Sequence, residues 1–259
     1  MIKKKAGAVL FWLLVWQLAA FIRKDSIVFV GPADMVASLV YQMGSSSFWL
    51  SVLRSFCCIM GGFLAAFAAA ALFAFLSFLF PVFGVLLEPV VTLQKCVPVA
   101  SFVVLFLLLI GSRYLSVVIV FFMAFPILYT NTGEGLRNVD PAMREMAEVF
   151  HMPLRSRFLY LYRPALWPFL FSGSKIAVGM SWKAGVAAEI IGVPSHTIGE
   201  NLYLSKIYLN TDSLFAWTLV IIVLSVTTEK LILWVIRRTG GRFWRKVSAF
   251  EREQISSLQ

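Results

Sequence analysis

Six apolar runs, at residues 6–22, 57–80, 90–110, 115–130, 169–191 and 214–236, leave this chain few ways to fold. Several approach the roughly 20 residues that a helix needs to cross a bilayer; the first and fourth are shorter. With 60% hydrophobic residues the chain is well above the about 45–50% of soluble domains. The expected fold class is all-α: a polytopic membrane protein of about six transmembrane helices, forming one domain over residues 1–259.

The net charge of +10 raises nucleic acid as a partner. In a membrane chain, however, basic residues gather beside the spans on the cytoplasmic side, so membrane lipid is expected as the surrounding partner and nucleic acid is not. With six spans and both termini inside, Lys3, Lys4, Lys5, Lys95, the arginines of residues 134–168 and the tail from Arg237 to Arg252 fall on the cytoplasmic side. Only Arg23, Lys24, Arg54, Arg113 and Lys206 fall outside. The basic start before the run from Ala6 to Ile22 has the look of a leader peptide. Its length, and the lack of a small-x-small site after it, favour a retained first span.

Between the runs, Arg23 to Leu50 reads as a polar external loop, with turn chemistry at Gly31-Pro32 and Gly44-Ser45-Ser46-Ser47. The small residues from Ala65 to Ala71 allow close helix approach in lipid. Pro81 is expected to end the second span and a short connection containing Glu88-Pro89 to follow, with Pro98 kinking the third span. Gly111-Ser112-Arg113 reads as a tight outer turn, and Pro126 lies near the inner end of the fourth span.

Residues 134–168 are the one long charged segment between apolar ones, with Arg137, Arg144, Arg155, Arg157 and Arg163 beside Glu134, Asp140, Glu145 and Glu148. Asp140 is a good N-cap and Pro141 suits the first helical position. Met143, Met146, Ala147 and Phe150 then recur at helical spacing as one apolar stripe. Arg144 and Glu148 stand four apart and can support each other weakly. Pro153 disfavours helix at Met152, and a second helix is expected from Pro153 until Pro164 disrupts it. Such a stripe either lies on the lipid surface or forms a ridge that docks in a groove of a soluble partner.

Here the sequence resembles the membrane permease subunits of type I ABC importers, whose cytoplasmic loop follows the pattern E-A-A-x3-G-x9-I-x-L-P. Glu145, Met146 and Ala147 stand for E-A-A, His151 for the glycine, Leu161 for the isoleucine, Arg163 for the leucine and Pro164 for the final proline. The segment from Ser181 to Gly192 (SWKAGVAAEIIG) resembles the text after this loop in the nitrate, sulfonate and taurine class. The resemblance implies that Glu145, Ala147, Phe150, His151, Met152, Leu154 and Pro164 couple the chain to a separate ATPase. His151 departs from the glycine that eases a left-handed turn, although histidine tolerates that geometry better than most residues.

Charges inside the runs are the second informative feature. Lys175, Lys183, Glu189, Glu229 and Lys230 lie within or beside the last two, and such groups usually face a bundle interior or a cavity. Snorkelling to the headgroups is the plainer reading for Glu189 and Lys230. Lys183 either lines an anion pathway or pairs with Glu189 or a carbonyl. Lys175 and Glu229 are expected at similar depth on neighbouring helices, hence in contact. No phosphate-binding loop occurs. His151 and His196 stand far apart in the chain, so neither catalytic residues nor a metal site are expected. Cys57, Cys58 and Cys96 read as apolar filler.

Two classes of function stay open: an importer permease, and a self-sufficient secondary carrier or channel. A docking ridge favours the first. The family then implies no enzyme activity and no cofactor in this chain, ATP and Mg being held by partner ABC ATPase subunits. It also implies an extracytoplasmic substrate-binding protein, a second copy of the permease, and a bacterial inner-membrane location. The solute is expected to be small, such as nitrate, a sulfonate or bicarbonate.

Overall fold

A computed structural model describes residues 2–23 and 30–240, and structural statements refer to these. They form helices and no strand: α1 (Ile2–Arg23), α2 (Pro32–Met43), α3 (Ser46–Leu79), α4 (Pro81–Cys96), α5 (Val99–Ile110), α6 (Leu115–Arg137), α7 (Pro141–Val149), α8 (Leu154–Arg157), α9 (Arg163–Gly192), α10 (Ile198–Ile207) and α11 (Thr211–Gly240). A π-helical turn, Phe158–Tyr162, joins α8 to α9.

The centre is a three-helix sandwich of α3, α6 and α9. Small residues set its spacing. Ala66, Ala70 and Ala74 follow at i, i+4 and i+8 on α3 and are all buried. A Cβ on Gly62 would stand 2.5 Å from the Val117 carbonyl oxygen, and one on Gly185 would stand 2.7 Å from Ile59 Cγ1. The backbones therefore meet closely, as expected of helices in lipid, where packing rather than the hydrophobic effect holds helix to helix. Aromatic residues fill the wider gaps: Phe121, Phe125 and Tyr129 stack along α6, and Phe73 meets Phe125 edge-on at 5.8 Å.

Five sequence expectations change. The supposed loop up to Leu50 is helical from Pro32, interrupted only at Gly44 and Ser45, where the Ser45 hydroxyl caps α3 by accepting from Phe48 N at 3.2 Å. Pro81 ends α3 but also starts α4, because proline is tolerated at the first helical position. The Glu88-Pro89 connection is thus helix. Pro98 does more than kink the third run: α4 and α5 are bent by 105° at the break before Val99. Past Pro126, α6 continues to Arg137, and three successive polar side chains, Thr130, Asn131 and Thr132, satisfy themselves within the helix by each donating to the carbonyl four residues back. Finally, Pro164 does not disrupt the chain's second helical arm. The π turn, in which Arg163 N reaches the Phe158 carbonyl, widens the backbone just ahead of the proline ring, and α8 runs on into α9.

Among the described residues, α3, α6 and Thr211–Arg238 of α11 are long and apolar enough to cross a membrane, and the bent pair α4–α5 makes a fourth. At the positions of the remaining expected spans stand α1, with 22 residues, and α9, with 30 residues and the intramembrane charges.

Candidate functional site

The insert folds as a helix, a tight turn and a second helix, and each step has a local cause. The Asp140 carboxylate caps α7 by accepting from Ala142 N at 2.9 Å, with Pro141 next to it. At the far end the chain closes in two steps: His151 N donates to the Glu148 carbonyl and Met152 N to the Ala147 carbonyl, both at 3.0 Å. This double closure needs a left-handed residue at the turn. His151 supplies it with φ of 47°, so the turn is as tight with histidine as the glycine pattern requires.

Arg157 finishes the turn. Its Nε donates to the Met152 carbonyl at 3.0 Å and its Nη2 to the Ala147 carbonyl at 3.1 Å. The guanidinium thereby serves two carbonyls at the C-terminus of α7, where a cation is also favoured by the helix dipole. Nothing in the loop pattern points to Arg157; the available signal was a planar multi-donor side chain shortly after a helix end.

The expected apolar stripe divides in two. Ala147 is 0% exposed and packs with Val139 and Leu161, flanked by Met152, Tyr162 and Ala165. This cluster fastens α7 to the arm that leads into α9, and it explains the spacing between Ala147 and Leu161. Met143, Met146, Val149 and Phe150 point the other way and are exposed, Phe150 at 73%; Leu154 across the turn is 82% exposed. Glu145 and His151 are exposed beside this ridge, Met152 is half-buried and Pro164 lies in the first turn of α9. No ion pair joins Arg144 to Glu148 among the described residues.

Deeper in the bundle, Glu189 is not a snorkelling side chain. It is 0% exposed. Its Oε2 accepts from Ser55 Oγ at 2.7 Å and from Gly199 N at 3.2 Å, while Ser55 Oγ also accepts from Ile198 N at 2.8 Å. One carboxylate therefore ties the end of α9 to α3 and to the first turn of α10. Lys183 points elsewhere: it is exposed and forms no pair with Glu189. Lys175 is exposed too, and Glu229 is half-buried; no ion pair joins Lys175 to Glu229 among the described residues. Lys175, Ile176, Gly179, Met180 and Lys183 share the open side of α9, since Ala177, Val178, Ser181 and Trp182 turn into the core. Lys230 is exposed as well. The tail cations beyond Gly240 lie outside the described residues.

A helical body with several apolar, membrane-long helices thus carries a tight, apolar-tipped hairpin at one end. Residues 61–241 match the family model "binding-protein-dependent transport system inner membrane component", and the chain belongs to this family. It is thus a multi-pass membrane permease component, and the self-sufficient carrier is set aside. The nitrate import permease protein NrtB of Synechococcus elongatus is 25% identical over 80% of this chain and 84% of its own. A probable ABC transporter permease protein of Brucella melitensis is 23% identical over 82% and 87%. The putative aliphatic sulfonates transport permease protein SsuC of Bacillus subtilis is 26% identical over 56% and 53%. A solved amino acid ABC transporter with histidines shares the fold, with a TM-score of 0.55 at 16% identity over 80% of this chain and 94% of that one.

Proposed function

We propose that this chain forms the translocation pathway of an ABC importer in the bacterial inner membrane, with a partner ATPase docked on the ridge of Met143, Met146, Val149, Phe150 and Leu154. The carrying observation is the pairing of exposed apolar side chains with a backbone locked beneath them by Ala147, His151 and Arg157. Exposed large apolar side chains on a rigid element suit a groove in a partner. A rigid hairpin continuous with α9 transmits the partner's movement to the bundle.

In this reading the chain crosses the membrane six times, through α1, α3, α4–α5, α6, α9 and α11, with both termini cytoplasmic. A second copy faces the open side of α9, and substrate passes between the copies after delivery by an external binding protein. Nucleotide and Mg stay on the ATPase, and this chain carries no cofactor and no catalytic group. ATP binding biases a two-state rocking of the spans. Relatives named for nitrate, sulfonates and bicarbonate support a small solute bearing an acid group, and the exposed cation Lys183 on α9 suits one.

The test is Phe150→Asp, at a position whose exposure leaves the fold undisturbed. The variant should insert at normal yield while copurification of the ATPase falls by at least about tenfold, the size of a lost interface anchor. Full copurification and full uptake would refute the docking assignment.

A further inference from the structure

A helix that crosses a bilayer must gain height along its whole length, and α4 does not. Its successor α5 has 12 residues and rises about 18 Å, against the roughly 30 Å of a hydrocarbon core. α4 adds nothing to that rise, because the two helices are bent by 105° at the break between them. Contacts with α6 give the same orientation independently. Near the start of α4, Phe83 meets Phe73 edge-on, and Phe73 in turn meets Phe125 of α6. Near its end, Lys95 Nζ donates to Thr130 Oγ1 of α6 at 2.9 Å. The helix between Phe83 and Lys95 measures about 18 Å, yet the levels that its ends meet on α6 lie only about 7 Å apart. Since α6 is one of the membrane-long helices, α4 runs across the bundle, at the end that carries the insert.

The sides of α4 differ in the way this orientation requires. Val91 and Gln94 are buried against the bundle. Glu88, Thr92 and Lys95 follow at i, i+4 and i+7, are exposed, and line an open cavity of about 560 Å³. They face water and need no other partner. On the opposite side Val82, Leu86, Pro89, Val90 and Leu93 form one exposed apolar stripe. The stripe joins the exposed Leu79 and Phe80 at the end of α3 to the exposed Leu105 and Leu108 of α5. It is thus continuous with the apolar outer surface of helices that meet lipid. A wet charged side opposite an apolar one, on a helix lying flat, is the pattern of a helix seated at a membrane boundary.

We infer that α4 lies in the plane of the membrane, its stripe on the acyl chains of one leaflet and its charged side on water. α5 and the bend at Pro98 then carry the chain across, and α4 does not. Naming that leaflet the inner one rests on the permease reading above, in which the insert is cytoplasmic; the flat orientation does not rest on it.

The test places single spin labels at Val82→Cys, Leu86→Cys, Val90→Cys, Leu93→Cys and Thr92→Cys. The full chain also carries Cys57→Ala, Cys58→Ala and Cys96→Ala and sits in phosphatidylglycerol vesicles. Collisions of each label with oxygen and with a water-soluble nickel chelate are measured. The four stripe labels should collide with oxygen in preference to nickel, at depths within about 5 Å of one another, while Thr92→Cys collides with nickel. A steady change in depth of about 16 Å from Val82 to Leu93, the rise of an upright helix, overturns the flat orientation. Stripe labels that meet neither collider assign the stripe to a second copy, and stripe labels that meet nickel assign it to water; either result overturns the lipid contact. A check without labels or cysteine replacement uses inserted yield. Leu86→Asp should lower it several-fold, since a charge in hydrocarbon is costly, and Thr92→Asp should leave it unchanged. Equal yields overturn the assignment of sides. No ATPase or solute is present, so failure here is distinct from failure of the docking ridge.

Discussion

Ser55 Oγ donates to Glu189 Oε2 at 2.7 Å, joining α3 to the end of α9 across 134 residues of sequence. The Gly199 amide reaches the same oxygen, and a methyl group at Gly199 would overlap the Glu189 side chain. The carboxylate also sits at the N-terminal end of α10, where the helix dipole favours a negative group. The end of the bundle away from the charged insert is thus closed around one carboxylate. Removing it leaves a buried hydroxyl and a buried amide without their acceptor, which costs about 1–3 kcal/mol each. Glu189→Ala is expected to lower the midpoint of thermal unfolding in detergent, with Ser55→Ala falling less. Gly199→Ala should be at least as damaging as Glu189→Ala. An unchanged midpoint for Glu189→Ala would show that the junction is not a structural tie.

The left-handed His151 gives a second prediction. Most residues cost roughly 1–2 kcal/mol in that conformation relative to glycine, and β-branched residues fare worst. His151→Gly should leave insertion and ATPase copurification intact or improved. His151→Val should reduce copurification without reducing insertion, because only the turn is disturbed. Equal behaviour of the two variants would mean that the turn geometry does not matter to docking.

Arg157 separates charge from geometry. It serves two carbonyls at once through a planar fork, which a lysine ammonium does not reproduce. Arg157→Lys keeps the charge beside the C-terminus of α7 but loses the paired contact. We expect Arg157→Lys to behave nearly as poorly as Arg157→Ala in ATPase-coupled uptake, with both variants inserting normally. Full recovery by lysine would reduce the contribution to simple charge.

Lys183 and Lys175 lie on the open side of α9 and hold no partner among the described residues. Lys183→Met is expected at normal yield, with uptake of the solute reduced. Lost yield with no transport-specific defect would return Lys183 to a structural position. The charge swap Lys175→Glu with Glu229→Lys should show no mutual recovery of yield, since no ion pair joins the two side chains among the described residues. Recovery by the double swap would contradict the observed geometry.

Much of this molecule was legible from residue order alone. Apolar runs of near-spanning length dictate helices, because they signal lipid as solvent. Asp140-Pro141 marks the start of α7, and the small residues of α3 announce close packing; both follow from local chemistry and both are found. The loop pattern also placed Ala147 and Leu161 at a meaningful spacing. Local signals misled where a proline carried two meanings. Pro81 and Pro164 look like helix ends from sequence, although each stands at the start of a helix, where a missing N–H costs nothing.

What only the tertiary structure decided is direction. Helical periodicity placed Ala147 with Met143, Met146 and Phe150, since one helix cannot tell which neighbour will cover it; Val139 and Leu161 cover Ala147 alone. Depth along a span suggested that Lys175 meets Glu229 and left Glu189 to the lipid surface. Their actual surroundings depend on the rotation of α9 against α3 and α6, set by the close approaches at Gly62 and Gly185. That rotation buries Glu189 beside Ser55 and turns Lys175 and Lys183 outward. Sequence order fixes a residue's height in a membrane helix, but its azimuth is set by packing between helices far apart in the chain.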